Sequence, residues 1–350
     1  MNNATTMTSR ERVYRALNFD HPDRVPRDLW FTPICYLEHG ADVLDKIRGR
    51  YPVDFTSASF MPPAFEALRE GERTAVGRYR DEWGCVFESI QAGVAGEVKE
   101  PILNDYARLD DLRVPVEAFD IDIAAVNAEC ASTDSFVFSG CVAQLFERLQ
   151  FIRGTENIFI DLMEQPPEFE QLLDIVHDYN CRWLESWART DVDALRMNDD
   201  WGSQQNLLIS PQQWRTVFKP RYREYARIAH DAGKKLFMHS DGHIQSIYED
   251  IIDVGVDAVN SQLFCMDIEE LGRRCAGRIT FYGEIDRQRI LPRGTREDCR
   301  QAVKRVVDNL YREEGGVIAQ LEFGAAARLE NAFAIYEAWE EFADGIPSAG

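Results

Sequence analysis

Apolar runs of strand length recur along the chain, separated by stretches with helical spacing. The runs lie at the end of 23–31 and at 53–60, 135–140, 193–200, 234–243, 257–262, 279–284 and 317–323. Helical patterns cover 124–132, a run through Leu149, 156–189, 211–232, 244–253, 267–275, 295–314 and 329–343. Cap and turn residues agree with these limits. Pro166-Pro167 divides 156–189 into two helices, since a proline fits a first helical turn but not an interior. Ser210-Pro211 starts the next helix with a serine cap. Thr8 and Glu11 have the spacing of a capping box ahead of a helix bearing Val13, Ala16 and Leu17. Between 72 and 101, Trp83, Val86 and Phe87 stand among glycines and charges, which predicts an inserted hairpin. Buried strands alternating with helices predict a parallel sheet covered on both faces. Eight such units predict an α/β fold closed as a (β/α)8 barrel, a single domain over 1–350 with the N-terminal helix and the insert as additions.

In such barrels functional side chains gather at the carboxyl ends of the strands. Polar residues fall there in five consecutive units: Asn198, Asp199 and Asp200 after the fourth strand, His239 and Asp241 after the fifth, Asn260 and Gln262 at the sixth, Glu284 at the seventh, Gln320 and Glu322 at the eighth. The apolar run Leu236 to Met238 ends abruptly in His239-Ser240-Asp241-Gly242. Residues two apart on a strand point to one side, so His239 and Asp241 face a common space. A histidine and a carboxylate aimed together can hold a metal or shuttle a proton. Five such endings in succession predict one shared pocket.

Composition narrows the partners. The formal net charge is −21, from 60 acidic and 39 basic residues. That field repels phosphate backbones and anionic membranes, so no nucleic acid and no membrane is expected. No apolar run approaches the roughly 18 residues of a transmembrane helix. Met1-Asn2-Asn3-Ala4-Thr5-Thr6 lacks the basic start and apolar core of an export signal, which makes the expected location cytoplasmic. The 8 cysteines are scattered with no Cys-x-x-Cys pair and read as reduced core thiols.

Several segments resemble the uroporphyrinogen decarboxylase superfamily, and within it the branch of cobalamin (corrinoid)-dependent methyltransferases. They are Arg10-Glu11-Arg12-Val13 with Ala16-Leu17, Pro22-Asp23-Arg24-Val25-Pro26, Asn198-Asp199-Asp200-Trp201-Gly202-Ser203-Gln204, His239-Ser240-Asp241-Gly242 and Gly255-Val256-Asp257. The resemblance runs from about residue 8 to 343 and implies the same barrel. Two departures bear on activity. The decarboxylase binds its porphyrinogen through an arginine-rich N-terminal segment, whereas here, in Pro26-Arg27-Asp28-Leu29-Trp30-Phe31-Thr32-Pro33, an acid and aromatics replace most of that basic motif. The thiol-directed methyltransferases bind zinc through a His-x-Cys after the fifth strand and a second cysteine near the eighth. Here His239 is kept, Asp241 takes the first cysteine position, and Leu321-Glu322 stands where the second is expected.

The resemblance thus implies zinc held by His239, Asp241 and Glu322. Carboxylates leave a harder, more Lewis-acidic ion than thiolates do, one suited to polarising an oxygen. The implied activity is methyl transfer from a small O-methyl or N-methyl compound to a corrinoid on a separate partner protein. Asp199 or Glu284 would protonate the leaving group. Asn198, Asn260, Gln262 and Gln320 would orient the substrate, and Trp30, Trp201 and Tyr282 would wall the pocket. A homodimer is compatible with this reading. Two alternatives stay open: a metal-assisted lyase, decarboxylase or hydrolase acting on a small polar molecule without corrinoid, and a non-catalytic small-molecule binding barrel.

Overall fold

The computed structural model describes residues 7–344. Its strands are β1 (Arg27–Phe31), β2 (Phe55–Ser57), β3 (Gly77–Arg80), β4 (Val86–Ser89), β5 (Glu97–Glu100), β6 (Phe136–Phe138), β7 (Ala194–Asn198), β8 (Lys235–Ser240), β9 (Ala258–Ser261), β10 (Thr280–Glu284) and β11 (Val317–Phe323). Eight of them form one parallel sheet in the order β1-β11-β10-β9-β8-β7-β6-β2, the eight runs expected from the hydrophobic pattern. Its two edges meet across a narrow seam. The Asp54 amide donates to the Arg27 carbonyl at 2.8 Å, and the Arg27 amide donates to Asp54 Oδ2 at 2.8 Å. The sheet is therefore a nearly closed (β/α)8 barrel with helices between its strands.

Side-chain alternation explains how the barrel is filled. Phe55, Phe136, Phe138, Ala194, Phe237, Ala258, Tyr282 and Ile318 pack together inside it, with Val13 and Leu17 of helix Ser9–Asn18 added to the same cluster. Each fully buried large apolar side chain here contributes about 1.5–3 kcal/mol. The period of two then directs the residues further along each strand inward as well: Arg196 and Asn198 on β7, His239 on β8, Asn260 on β9, Glu284 on β10, Gln320 and Glu322 on β11. The opposite faces join the outer core against the helices.

Three local expectations need correction. Thr8 Oγ1 accepts from the Glu11 amide at 3.1 Å, but the Glu11 carboxylate takes a bond from Arg15 one turn on instead of returning to the cap. The insert is a three-stranded antiparallel sheet, β3-β4-β5, one strand more than a hairpin. The helix expected at 211–232 contains a π turn at Trp214–Phe218. Pro220 lies just beyond it and has no amide to continue the ladder, which is a sufficient cause for the widened turn.

Candidate active site

Two glycines bring the ends of β7 and β8 into register. Gly242 has φ +79°, and a Cβ added there would lie 2.0 Å from the Gly202 carbonyl oxygen. A Cβ on Gly202 would lie 2.3 Å from the His243 amide nitrogen. Only glycine at both positions lets the two loops touch. Backbone bonds then cross-brace them, from the Asp199 amide to the His239 carbonyl at 3.2 Å and from the Gly202 amide to the Asp241 carbonyl at 3.1 Å. The Asp241 amide donates to Asp200 Oδ1 at 2.8 Å. In this way three side chains from two loops meet at one point.

His239 Nε2 lies 3.5 Å from Asp200 Oδ1 and 3.7 Å from Asp241 Oδ1. The tautomer follows from the neighbours. Asn260 Nδ2 donates to the Tyr282 carbonyl at 2.6 Å, so its Oδ1 is free to accept from His239 Nδ1 at 2.5 Å. With the proton on Nδ1, the Nε2 lone pair faces two carboxylates. Asp241 Oδ1 is buried with no hydrogen-bond partner. A lone pair and two anionic oxygens, one holding only the Asp241 amide and the other without a partner, form an arrangement that a cation completes, and His239, Asp200 and Asp241 have the donor types and spread of a metal site.

Glu322 does not join that group. It is held by Arg287, whose guanidinium also donates to the other oxygen of Asp241 and lies 3.4 Å from Glu284. Burial works against the Arg287 charge, but Glu284, Glu322 and Asp241 together hold it charged. Burial pushes Glu284 well above the usual carboxylate range, opposed by Arg287 and reinforced by Glu322 and Asp241. Burial likewise raises Glu322 despite Arg287.

The histidine forms part of the wall of a cavity of about 260 Å³. Trp30, Phe138, Phe237 and Tyr282 give it flat apolar faces, while Arg196, Asn198 and Asn260 supply polar ones. Asp28 orients two of the aromatics, accepting from Trp30 Nε1 at 2.7 Å and from the Tyr282 hydroxyl. A larger cavity of about 460 Å³ adjoins this one through Arg73, Val142 and Gln144. Of its charges, Arg148 pairs with Asp81 and Glu82, and Arg69 with Glu82. The smaller cavity is the one whose wall includes His239.

The remaining expected residues divide. Trp201 is fully buried and stacks on Phe146 at 4.2 Å, among Trp214 and Phe218, away from the cavity wall. Asp199 accepts from the amides of Leu145 and Glu147 at 2.9 and 2.8 Å and from the Tyr222 hydroxyl at 2.5 Å, so its carboxylate anchors helix Phe146–Arg153. Gln262 Oε1 accepts from the Gly242 amide and from Gln204, bracing the β8 loop. With Glu284 and Arg287 it lines a separate cavity of about 190 Å³. Gln320 is buried with neither amide atom partnered.

Three residues escaped sequence reasoning. Asp200 stands in the sequence only as one of a polar trio, Arg287 lies in a loop, and Glu147 lies in the first turn of a helix. Glu147 accepts from Asn198 at 2.8 Å and Gln144 at 2.9 Å, both of which face the small cavity. Burial, with Asp200 and Asp199 nearby, pushes its carboxyl up to about 8.

The family model described as uroporphyrinogen decarboxylase (URO-D) matches residues 84–342. The chain belongs to the URO-D family. Membership in the URO-D family supports an enzymatic role, and the barrel is the one the segments 10–26, 198–204 and 239–242 led us to expect. No curated protein sequence matches the chain. Among solved structures, a methyltransferase from Methanosarcina mazei superposes with TM-score 0.66 at 14% identity, covering 96% of this chain and 99% of that one. A glycosylated endo-β-1,4-xylanase from Gloeophyllum trabeum gives TM-score 0.44 at 10% identity over 90% and 96% of the two chains.

Proposed function

We propose that this URO-D family member transfers a methyl group from a small O-methyl or N-methyl compound to the cobalt of a corrinoid carried by a partner protein. The observation that carries the reading is the convergence of His239 Nε2, Asp200 Oδ1 and the unpartnered Asp241 Oδ1 at an aromatic cavity. That the Methanosarcina mazei structure is a methyltransferase supports it. The family's own decarboxylation is disfavoured on charge, since a porphyrinogen bearing eight carboxylates would meet Asp28, Asp200, Asp241, Glu284 and Glu322.

His239, Asp200 and Asp241 would hold zinc, which supplies a Lewis acid that draws electron density from the leaving oxygen or nitrogen. Arg287 holds one oxygen of Asp241 and so turns the other toward His239. Asn260 fixes the histidine ring. Trp30 and Tyr282 present faces against which a flat donor can lie, and Asn198 offers a hydrogen bond at the cavity wall. As the methyl group leaves, the electron pair stays on the donor atom, which then takes a proton. Glu147 is the source, uncharged near neutrality and held by two residues of the cavity wall. Glu284, whose carboxyl burial raises well above the ordinary range, stands as a second acid beside Arg287.

The test supplies cob(I)alamin and a panel of methoxy and N-methyl donors to the metal-loaded protein and follows methylcobalamin by absorbance. Product from at least one donor is expected, with metal lost in His239→Ala and Asp241→Ala and kept in Glu322→Ala. No product from any donor despite bound metal refutes methyl transfer. Metal retained by both His239→Ala and Asp241→Ala refutes the ligand set.

A further inference from the structure

Most interior cations of this barrel are matched with carboxylates; Arg48, its Nε buried and unpartnered, is not, but it lies on an outer helix and forms no part of the cavity wall. Arg287 has three, Arg27 pairs with Glu340 and Asp344, and Arg148 pairs with Asp81 and Glu82. Arg196 forms no ion pair among the described residues. Its Nη2 donates to the Ser139 carbonyl at 2.7 Å, its guanidinium lies 5.3 Å over the Phe138 ring, and its Nε is buried with no acceptor. Burial alone pushes its pKa below the ordinary arginine range. A guanidinium taken from water without a counter-charge costs several kcal/mol, and an arrangement of that kind persists where a ligand completes it.

We infer that Arg196 binds the carboxylate of a small, flat monoanion, and that the substrate of this cavity belongs to that class. The inference rests on the cavity being the methyl-donor site. Three observations define the ligand. Arg196 forms part of the cavity wall and is the one cation within its strand wall, which fits a single carboxylate and not several. Trp30, Phe138, Phe237 and Tyr282 surround it, a setting for an aromatic ring. Register sets the length: Arg196 pairs with Phe237 and Asn198 with His239, so Arg196 joins the strand wall one two-residue step before the histidine, and its guanidinium is tethered to the Ser139 carbonyl. That step is roughly 7 Å, about the reach of one benzene ring and its substituents. A ring anchored at Arg196 therefore carries its far substituent to His239. Arg73, exposed and reaching the same cavity from the insert, is a screened second cation and sets no specificity.

The experiment measures calorimetric binding of benzoate and of benzamide, which has the same shape without the charge, to the metal-loaded wild type, Arg196→Met and Arg196→Lys. The wild type is expected to prefer benzoate by about 30-fold or more. Arg196→Met should lose that preference, and Arg196→Lys should keep part of it. Because the methionine removes an unpaired cation, the ligand-free variant should unfold at the same temperature as the wild type or higher, and benzoate should no longer raise it. An unchanged preference in Arg196→Met, or no benzoate binding by the wild type at millimolar concentration, overturns the inference. The two readings fail separately. Arginine-dependent benzoate binding without methylcobalamin from any methoxybenzoate sinks methyl transfer alone, and equal turnover of a methoxybenzoate by wild type and Arg196→Met sinks the anchor alone.

Discussion

The two nitrogens of His239 do different work, and the difference is set by Asn260. Its amide nitrogen is committed to the Tyr282 carbonyl, so its oxygen can only accept, which places the imidazole proton on Nδ1 and leaves Nε2 to bind. Outer partners of this kind are worth about 10–100-fold in metal affinity. Asn260→Ala should therefore weaken zinc by about that factor in competition with a chelator while leaving the metal-to-protein ratio at saturation unchanged. Undiminished affinity would show that the ring is oriented by something else. Glu147 makes a second claim at this scale. Its carboxyl sits near 8, so below that pH it carries the proton and above it does not. Turnover should fall as pH rises through about 8, and Glu147→Gln, which cannot donate the proton, should be slow at every pH with no such fall. A wild-type falling limb that persists unchanged in Glu147→Gln would assign the proton elsewhere. His239 and Asp241 were legible from strand parity alone. Arg196 shares the parity of Asn198 and could have been read the same way. Glu147 and Arg287 could not, because neither lies on a strand and no period points at them.

Elements were more legible than residues because burial writes a period into the sequence. Phe136-Val137-Phe138 is buried on both faces and reads as a strand even at three residues. β5 does not, since Glu97-Val98-Lys99-Glu100 has one apolar residue and lies on the solvent side of the insert. The joint between helix Lys219–Asp231 and the strands depends on charge. His230 Nε2 lies 2.9 Å from Asp257 Oδ2, and Lys235 Nζ lies 2.9 Å from Oδ1. The bond to Asp257 raises the His230 pKa against its partial burial. A histidine raised on folding contributes stability fully below its unfolded value of about 6.5 and loses it as pH climbs through the folded value. His230→Gln should thus cost more at pH 6 than at pH 9. The difference should stay under about 1 kcal/mol, because the pair is half-exposed and screened. Urea titrations at the two pH values measure it, and a larger cost at pH 9 contradicts the assignment.

At the scale of the molecule, the seam between β1 and β2 is held by one buried carboxylate. Asp54 is fully buried and accepts from Ser9, Arg12, Arg24 and the Arg27 amide. The segments 10–13 and 22–26, which gave the family likeness, supply these arginines and therefore serve closure and not chemistry. Removing one partner of a buried ion pair costs about 3–5 kcal/mol, and Asp54→Ala should lose that much in urea unfolding with activity per folded molecule retained. A loss under about 1 kcal/mol would mean that the bond from the Asp54 amide to the Arg27 carbonyl and the packing around it close the seam without the carboxylate. The ladder on the other side of β1 has a consequence for synthesis on the ribosome. β1 pairs along its whole length with β11, and Asp344 accepts from the Val25 amide and from Arg27. The strand made first thus has its partner made last. A nascent chain carries β1 as an open edge through the translation of nearly three hundred residues, exposed to pairing with any other strand. Completion of the chain, and not the emergence of any part of it, is the event that shuts the ring.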